Sequence, residues 1–366
     1  MLDLIKIRED LHQIPELGFQ EVKTQKYIEK VLAKFPELII HRFDFPALVA
    51  EYKVGEGSYK LFRADMDALP ISEESGCAFS SKHLGKMHAC GHDMHMTILL
   101  GLIERVINQN IQQNILFVFQ PAEEGMGGAR RMLDTNFFKK YNITACFALH
   151  VNGEYPVGTI ASKPGIFFAN TREVEVVFQG KSAHVAFSEK GKNALDAGAE
   201  FYLALQDEIK EQFPQKKTVI CAFGKMEAGT VMNAVPAKCT FNGTIRAFTA
   251  ENHENIKKLV EEVAKSIARK HELEVEVIYH AYYKEVNNDF GLFASLKQQL
   301  AGSEYKLLES EAVFTGEDFG FFAAEYPGLL FWLGANQGEA QDLHSNKFLP
   351  DFNAVKVGID VMAGLV

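Results

Sequence analysis

Two segments at the start of the chain carry apolar residues at helical spacing, and a turn separates them. They span residues 5–35, with the turn at 15–18 and a Phe-Pro pair at 35–36 that ends the second helix. Short, nearly continuous apolar runs follow, at residues 48–54, 59–64, 115–120, 145–150 and 329–334, with helical stretches at 94–108 and 129–140 between them. Such runs are typical of strands covered on both faces. The pattern predicts a three-layer α/β domain with a mostly parallel central sheet.

The pattern of apolar and polar residues changes beyond residue 170. Strand patterns at 172–179, 219–225, 238–248 and 272–280 alternate with helical patterns at 193–213 and 253–271. The order β-α-β-β-α-β is that of a ferredoxin-like α+β domain. Helical spacing resumes at 288–299. We therefore expect a ferredoxin-like domain at 171–281, inserted into a larger, discontinuous domain formed by 1–170 and 282–366.

Polar clusters follow the predicted strands of the larger domain or the loops just beyond them. In chain order they are Asp65 with Asp67, the segment 88–95, Glu123 with Glu124, His150, and His344. Open α/β sheets bind ligands outside the carboxyl ends of their strands. The clusters are therefore predicted to form one site, although they are far apart in sequence.

The densest cluster holds three His and one Cys within eight residues. Cys90 and His92, separated by Gly91, offer two zinc-type ligands on a tight turn. Asp93 and His95 are either further ligands or partners that fix an imidazole tautomer. Two alternatives remain: a buried cysteine with surface histidines, or a Cys90 nucleophile activated by a histidine. The nearby carboxylates favour the metal site.

Glu123 and Glu124 directly follow a very apolar strand. Neighbouring carboxylates point in different directions, so one can hold a metal while the other takes a proton from water activated by that ion. A solvated helix start is the alternative for this pair. His150 and His344, taken singly, are as often packed or surface histidines as ligands.

Composition narrows the class of protein. The formal net charge is −10 over 366 residues, which argues against nucleic-acid binding because that requires clustered Lys and Arg. The first ten residues lack the apolar core of a secretory signal, and no apolar run approaches the ~20 residues of a membrane span. Five scattered cysteines are expected to be reduced thiols. These features predict a cytoplasmic protein without a nucleic-acid or membrane partner.

Six strings resemble the amidohydrolase branch of the aminoacylase and carboxypeptidase metallopeptidases, and the resemblance covers nearly the whole chain. They are LHQIPEL at 11–17, RADMDALP at 63–70, HACGHD at 88–93, PAEEG at 121–125, ALH at 148–150 and TGEDF at 315–319. The resemblance implies a catalytic domain that binds two divalent ions per subunit, with zinc, manganese, cobalt and nickel as candidates. It also implies that the inserted domain is a lid that forms a homodimer.

The resemblance assigns roles to individual positions. The implied metal ligands are Cys90, His92, Glu124, His150 and His344, and Glu123 is the implied general base. Cys90 stands where many relatives carry a bridging aspartate, and a thiolate favours softer ions such as zinc. Asp67 would orient the first-site imidazole. Asp65 stands where many relatives have a histidine ligand.

The lid also contributes implied site residues. His184 would stabilise the oxyanion of the tetrahedral intermediate, although Ser182 and Ala183 stand where close relatives more often have glycines. Asn233, Arg246 and Gly316 match positions that hold the polar end of the substrate. A guanidinium binds a carboxylate bidentately, as an acylated amino acid requires. The alternative for Arg246 is a salt bridge on a strand face.

The implied reaction is hydrolysis of an acyl amide on an amino acid. N-acetylated L,L-diaminopimelate is the expected substrate, with release of acetate. N-acetylcysteine, hippurate, a related acyl amino acid or a dipeptide are the alternatives. A metal-storing or scaffold protein on the same fold would lack the base or a ligand, whereas this chain retains Glu123 and every expected ligand position.

Overall fold

The computed structural model describes residues 1–214, 218–336 and 338–366. Its α-helices are α1 (Leu4–His12), α2 (Val22–Leu32), α3 (His92–Asn108), α4 (Gly128–Asp134), α5 (Ala194–Gln212), α6 (Ala250–Lys270), α7 (Phe290–Leu300), α8 (Gly320–Glu325) and α9 (Asn353–Gly364). Its strands are β1 (Leu38–Arg42), β2 (Leu48–Tyr52), β3 (Tyr59–Asp65), β4 (Asn114–Gln120), β5 (Ile143–Pro156), β6 (Thr159–Ser162), β7 (Gly165–Phe168), β8 (Asn170–Gln179), β9 (Val219–Ala228), β10 (Lys238–Ala247), β11 (Glu274–Tyr283), β12 (Val286–Asn288), β13 (Lys306–Glu309) and β14 (Gly328–Asn336). Among these described segments, no helix combines the length and apolarity needed to cross a bilayer.

The chain divides into two compact units. The first comprises Met1–Phe167, Val286–Ala312 and Glu317–Val366, and the second comprises Phe168–Glu285 and Val313–Gly316. The short stretch Val313–Gly316 thus groups with the second unit, whereas the sequence pattern placed it in the larger domain.

An eight-stranded sheet organises the first unit, in the order β1-β2-β4-β3-β5-β14-β6-β13. The central strands β4, β3, β5 and β14 run parallel, while β1 and β2 are antiparallel at one edge and β6 is antiparallel to β14. Strands β2, β4 and β14 are buried along their whole length. Both of their faces are covered, as expected for the predicted three-layer α/β architecture.

Helix α3 positions part of the candidate site. Nearly all of its side chains are buried, and it packs against α1, α9 and β3. It begins at His92, two residues earlier than the pattern at 94–108 predicts, because Gly91 adopts a left-handed conformation (φ +81°) that turns the loop directly into the helix. His92 therefore lies on the first turn of a rigid helix.

The second unit has the predicted ferredoxin-like topology. Its antiparallel sheet has the order β11-β8-β10-β9, with α5 following β8 and α6 following β10. The two helices pack against the sheet through an apolar core that includes Phe178, Phe201 and Phe241. The prediction of a separate α+β domain is confirmed.

Two elements of the first unit differ from the sequence patterns. The predicted helix at 129–140 ends at Asp134, because Asn136 is left-handed (φ +60°) and the chain continues as a short 3₁₀ turn at Phe137–Lys140. The predicted strand at 145–150 continues to Pro156, because β5 stays paired with β14 as far as Asn336. His150 therefore lies within β5 and not at its end.

Candidate metal centre

Chemistry-bearing side chains of the first unit converge at the end of the parallel sheet. Asp65 ends β3 and is the register partner of Gln120, which ends β4, so the loops after both strands start at the same edge. His150 on β5 lies beside Trp332 on β14. The structure brings eight of the predicted site residues to this region: Asp65, Asp67, Cys90, His92, Glu123, Glu124, His150 and His344.

Cys90 lies at the middle of the candidate donor set. Its Sγ is 3.3 Å from Nε2 of His150 and 3.2 Å from Nε2 of His344. The same His344 nitrogen lies 3.2 Å from Oε1 of Glu124. Three overlapping groups, Cys90–His92–His150, Cys90–Glu124–His344 and His92–Glu123–Glu124, each place their ligand atoms within 4.8 Å of one another.

Hydrogen bonds set the tautomers of two of these histidines. Nδ1 of His92 donates to the main-chain carbonyl of Asp67 at 2.8 Å, and Nδ1 of His150 donates to the carbonyl of Val151 at 2.8 Å. In the neutral form of each ring, Nε2 is then the nitrogen that carries the lone pair. Nε2 of His92 is buried and has no hydrogen-bond partner in the described part of the chain. A buried, unsatisfied base at this point is what a metal ligand requires.

The orienting role expected for Asp67 is divided between two of its groups. Its carbonyl oxygen accepts the His92 bond, and its Oδ1 lies 3.3 Å from the same nitrogen. Its Oδ2 accepts the backbone N–H of Glu124 at 2.9 Å. Asp67 therefore links two elements of the candidate donor set.

The electrostatics of the centre favour a bound cation. Burial raises the pKa of Glu123 well above its ordinary value, and Glu317 and Glu124 raise it further. Burial would lower the pKa of His92, but Asp65 and the other surrounding carboxylates raise it to about 10. A divalent ion would relieve this excess of negative charge.

The same charges bear on the nucleophile alternative. Burial raises the pKa of the Cys90 thiol well above its ordinary value, and Glu124 and Glu123 raise it further. An activated cysteine nucleophile needs the opposite, a pKa depressed by neighbouring positive charge. The surroundings of Cys90 suit a metal ligand, whose thiolate forms only together with a cation.

Arg63 is fully buried and forms several ion pairs near the centre, and it was not among the predicted site residues. Its guanidinium contacts Oδ2 of Asp65 at 2.7 Å, Oδ1 of Asp318 at 2.8 Å and Oε1 of Glu317 at 3.0 Å. Its Nε donates to Oε1 of Gln120 at 2.8 Å. An arginine inside the apolar strand at 59–64 was the available signal, because a buried charge requires buried partners.

Asp65 and His95 form a second supporting pair. Nδ1 of His95 donates to Oδ1 of Asp65 at 2.6 Å, and its Nε2 accepts the backbone N–H of Val151 at 2.9 Å. Both ring nitrogens are therefore occupied, so His95 supports the strand that carries His150.

Oδ2 of Asp93 is likewise bonded to partners other than a metal. Its Oδ2 accepts from Nδ1 of His12 at 2.9 Å and lies 3.3 Å from Nε of Arg8. His12 in turn contacts Oε1 of Glu73 at 3.1 Å through Nε2. The His12–Glu73–Cys77 group resembles a metal cluster in composition, but its imidazole is already bonded at both nitrogens.

The remaining predicted residues belong to the second unit. His184 and Asn233 are exposed and adjacent: the N–H of Val185 donates to the carbonyl of Asn233 at 3.2 Å, and His184 bridges to Ala234. Nδ1 of His184 accepts the N–H of Ala186 at 3.1 Å. The proton of a neutral His184 therefore lies on Nε2, which is free to donate.

Arg246 and Gly316 lie at one end of the second unit's sheet. Arg246 pairs in register with Thr171, and Gly316 packs against Thr171 and Tyr283. Nη1 of Arg246 donates to the carbonyl of Phe314 at 2.8 Å. Among the described residues no carboxylate forms a salt bridge with Arg246, so its guanidinium retains donors for another group.

Comparison with known proteins places the chain in a family. Residues 61–366 match the model of peptidase family M20/M25/M40. The chain is 38% identical over 365 residues to N-acetyldiaminopimelate deacetylase of Bacillus subtilis, covering 99% of this chain and 97% of that protein. It is 39% identical over 362 residues to the protein of that name in Bacillus pumilus, covering 98% and 96%.

Solved structures give the same result. A Bacillus subtilis protein described as a dinuclear metal-binding peptidase of the M20 family superimposes with a TM-score of 0.85 at 30% identity, covering 99% of this chain and 96% of that one. A candidate aminohydrolase from methicillin-resistant Staphylococcus aureus superimposes with a TM-score of 0.92 at 26% identity, covering 99% and 94%. The sequence and its fold together establish that the chain belongs to peptidase family M20/M25/M40.

Proposed function

We propose that this protein is a metal-dependent amidohydrolase that converts N-acetyl-L,L-diaminopimelate to L,L-diaminopimelate and acetate. The observation that carries the proposal is the donor set around Cys90, in which Cys90, His92 and His150 are buried and His344 is exposed, with the unsatisfied Nε2 of His92 beside the Glu123–Glu124 pair. The full-length similarity to N-acetyldiaminopimelate deacetylases supports the choice of substrate. Such a substrate belongs to amino-acid biosynthesis, so we also propose a cytoplasmic location.

Two divalent ions would be held by the five ligands that the sequence analysis predicted. They are Cys90, His92, Glu124, His150 and His344. The dinuclear relative in the M20 family supports a pair of ions, and the thiolate favours softer ions over magnesium. When bound, divalent ions lower the pKa of water and polarise a carbonyl oxygen.

Glu123 is the proposed proton carrier. It is buried near Glu124 and three further carboxylates, those of Glu317, Asp318 and Asp67, so its carboxylate readily takes up a proton. In the proposed reaction Glu123 removes a proton from the attacking water and then delivers it to the nitrogen of the leaving amine.

Residues of the second unit are proposed to bind the substrate. His184 donates from Nε2 to the developing oxyanion, because its Nδ1 is already occupied as an acceptor. Arg246 binds a substrate carboxylate with its guanidinium, and Asn233 and Gly316 contact the polar end of the same molecule. Asp65 and Asp67 hold the first-unit ligands in place through His95 and His92.

A panel of N-acyl amino acids, assayed by amine release, tests the proposal. N-acetyl-L,L-diaminopimelate should exceed N-acetylcysteine, hippurate and dipeptides in kcat/KM by at least an order of magnitude. Glu123→Gln should retain metal but lose about 10²-fold or more in kcat, whereas the exposed control Glu154→Gln should behave as wild type. Normal turnover in Glu123→Gln, or a flat panel, would contradict the assignment.

We further propose that the second unit forms a homodimer. Strand β9 is the edge of its sheet. Helix α5 packs against β9 through the rings of Phe201 and Phe223, and it exposes Leu195, Tyr202 and Leu203 along one helical face. An unpaired edge next to an apolar stripe is suited to a second copy of the same surface. Light scattering should give a dimer for wild type and for the control Leu308→Glu, and a monomer for Leu203→Glu. A monomeric wild type would refute this part.

A further inference from the structure

Glu21 is a fully buried acid that the proposed reaction does not use. It occupies the N-cap position of α2, yet its side chain makes no capping hydrogen bond to that helix. Its Oε1 instead accepts the backbone N–H of Ala122 at 2.8 Å, a residue 101 positions away. The carboxyl therefore serves the loop after β4.

Ala122 has an unusual backbone conformation. Its φ is +55°, in the left-handed region that residues with a Cβ rarely adopt. Its carbonyl also accepts the N–H of Gly128 at 3.0 Å. Such a conformation persists only where the surroundings hold it, and here it directly precedes Glu123.

The backbone on both sides of Glu123 is held by carboxyl groups. The N–H of Ala122 donates to Oε1 of Glu21, and the N–H of Glu124 donates to Oδ2 of Asp67 at 2.9 Å. Gly18 packs closely against Ala122, because a Cβ built on Gly18 would lie 3.1 Å from that of Ala122. The bond from the N–H of Gly128 to the carbonyl of Ala122 fixes the peptide group before Glu123, and Asp67 fixes the peptide group after it. Glu21 fixes the preceding peptide group, between Pro121 and Ala122.

We infer that Glu21 is a positioning residue, whose side-chain oxygen holds Ala122 left-handed and thereby aims Glu123 and Glu124 into the metal centre. The inference rests on the proposed function in so far as Glu123 is the proton carrier. Burial, together with the neighbouring Asp67, raises the pKa of Glu21 to about 8. A neutral acceptor is therefore sufficient for this contact at neutral pH.

Two substitutions of similar size separate the acceptor from the volume it fills. Glu21→Gln retains a carbonyl oxygen, whereas Glu21→Met removes both oxygens and leaves the N–H of Ala122 unsatisfied. Both are made in the wild-type chain and in an Ala122→Gly background, where the left-handed conformation is readily accessible without support. Gln20→Ala, at the exposed neighbouring position, is the control.

The inference predicts a specific pattern of kinetics. Glu21→Gln should stay within about 3-fold of wild-type kcat. Glu21→Met should lower kcat about 10- to 100-fold with little change in KM, because a misplaced base affects the transition state more than binding. That loss should shrink at least 3-fold in the Ala122→Gly background. Equal kcat for the Gln and Met variants, or an undiminished loss in the glycine background, would overturn the inference.

A substrate-free measurement distinguishes this inference from the proposed function. Urea unfolding followed by the fluorescence of Trp332, the single tryptophan, gives midpoints for the same variants. The midpoint shifts of Glu21→Met and Ala122→Gly should be non-additive, because the two changes act on one contact. An inactive wild type with non-additive midpoints would refute the proposed reaction but not the role of Glu21. Additive midpoints would remove the role of Glu21, whatever the activity.

Discussion

Replacing Gly91 with alanine should destabilise the loop that carries two of the proposed metal ligands. Gly91 lies between Cys90 and His92 at φ +81°, and a Cβ built there overlaps Cγ2 of Val151. The left-handed backbone costs a residue with a Cβ about 1–2 kcal/mol. Forcing a methyl group into a packed core costs about 1–3 kcal/mol more. We therefore expect Gly91→Ala to lose about 2–5 kcal/mol of unfolding free energy.

Gly85→Ala is the matched control for this prediction. Gly85 has a similar φ of +73°, but a Cβ there meets nothing within 4 Å. It should therefore lose only the backbone cost of about 1–2 kcal/mol. The part of the Gly91→Ala loss that exceeds this backbone cost should disappear in a Val151→Ala background, because the overlapping methyl group is then absent.

The assay is urea denaturation of chelator-treated protein, followed by the fluorescence of Trp332. This side chain is buried on β14 beside the His150 ring, with ring centroids 5.2 Å apart, so it reports on the first unit. The reasoning would be refuted if Gly91→Ala and Gly85→Ala lost the same free energy, or if Val151→Ala failed to reduce the difference.

Three further predictions concern charge and metal. Removing metal with a chelator should lower Tm and change Trp332 fluorescence, and adding zinc or cobalt should reverse both effects. If neither ion changed Tm or fluorescence, the result would contradict the proposed metal centre. The His12 contacts with Asp93 and Glu73 raise the pKa of His12 to about 10 despite burial. The stabilisation of the folded state by these two contacts is at most about 5 kcal/mol. It is fully present below pH 6.5 and is lost as pH rises through 10. The stability difference between wild type and His12→Gln should therefore shrink over that interval, and a constant difference would contradict the assignment. Arg63→Met should lower the free energy of unfolding, measured in urea, by about 3–5 kcal/mol, because it leaves buried carboxylates unpaired. A loss below about 1 kcal/mol would contradict this stabilising role of Arg63.

Apolar periodicity predicted the elements that bury a whole strand or helix face. Strands β3 and β4 and helix α3 are mostly buried and rich in apolar residues, so their positions follow from the sequence to within about two residues. Short edge strands such as β1 and β13 are partly exposed and carry no comparable pattern. Their pairing depends on neighbours that are distant in sequence.

The candidate ligands were predictable because the chemistry is concentrated in unusual residues. The supporting residues were less accessible. Glu21 precedes a helix and looks like an ordinary capping acid, and nothing nearby in sequence indicates Ala122 as its partner. Arg63 carries a signal, a charge within an apolar strand, but its partners Glu317 and Asp318 are known only from the fold.

His344 lies far downstream of the other proposed ligands, and this spacing has a consequence for biosynthesis. Ribosomes add ~5–20 residues per second, so roughly 10–40 s separate translation of His150 from that of His344. During that interval the nascent polypeptide already contains Cys90, but the proposed ligand set around it is incomplete, so the thiol is open to oxidation or to binding of the wrong ion. With the proposed ligand set, metal loading is therefore expected to be a late event in the maturation of this protein, and the thiol has to stay reduced until then.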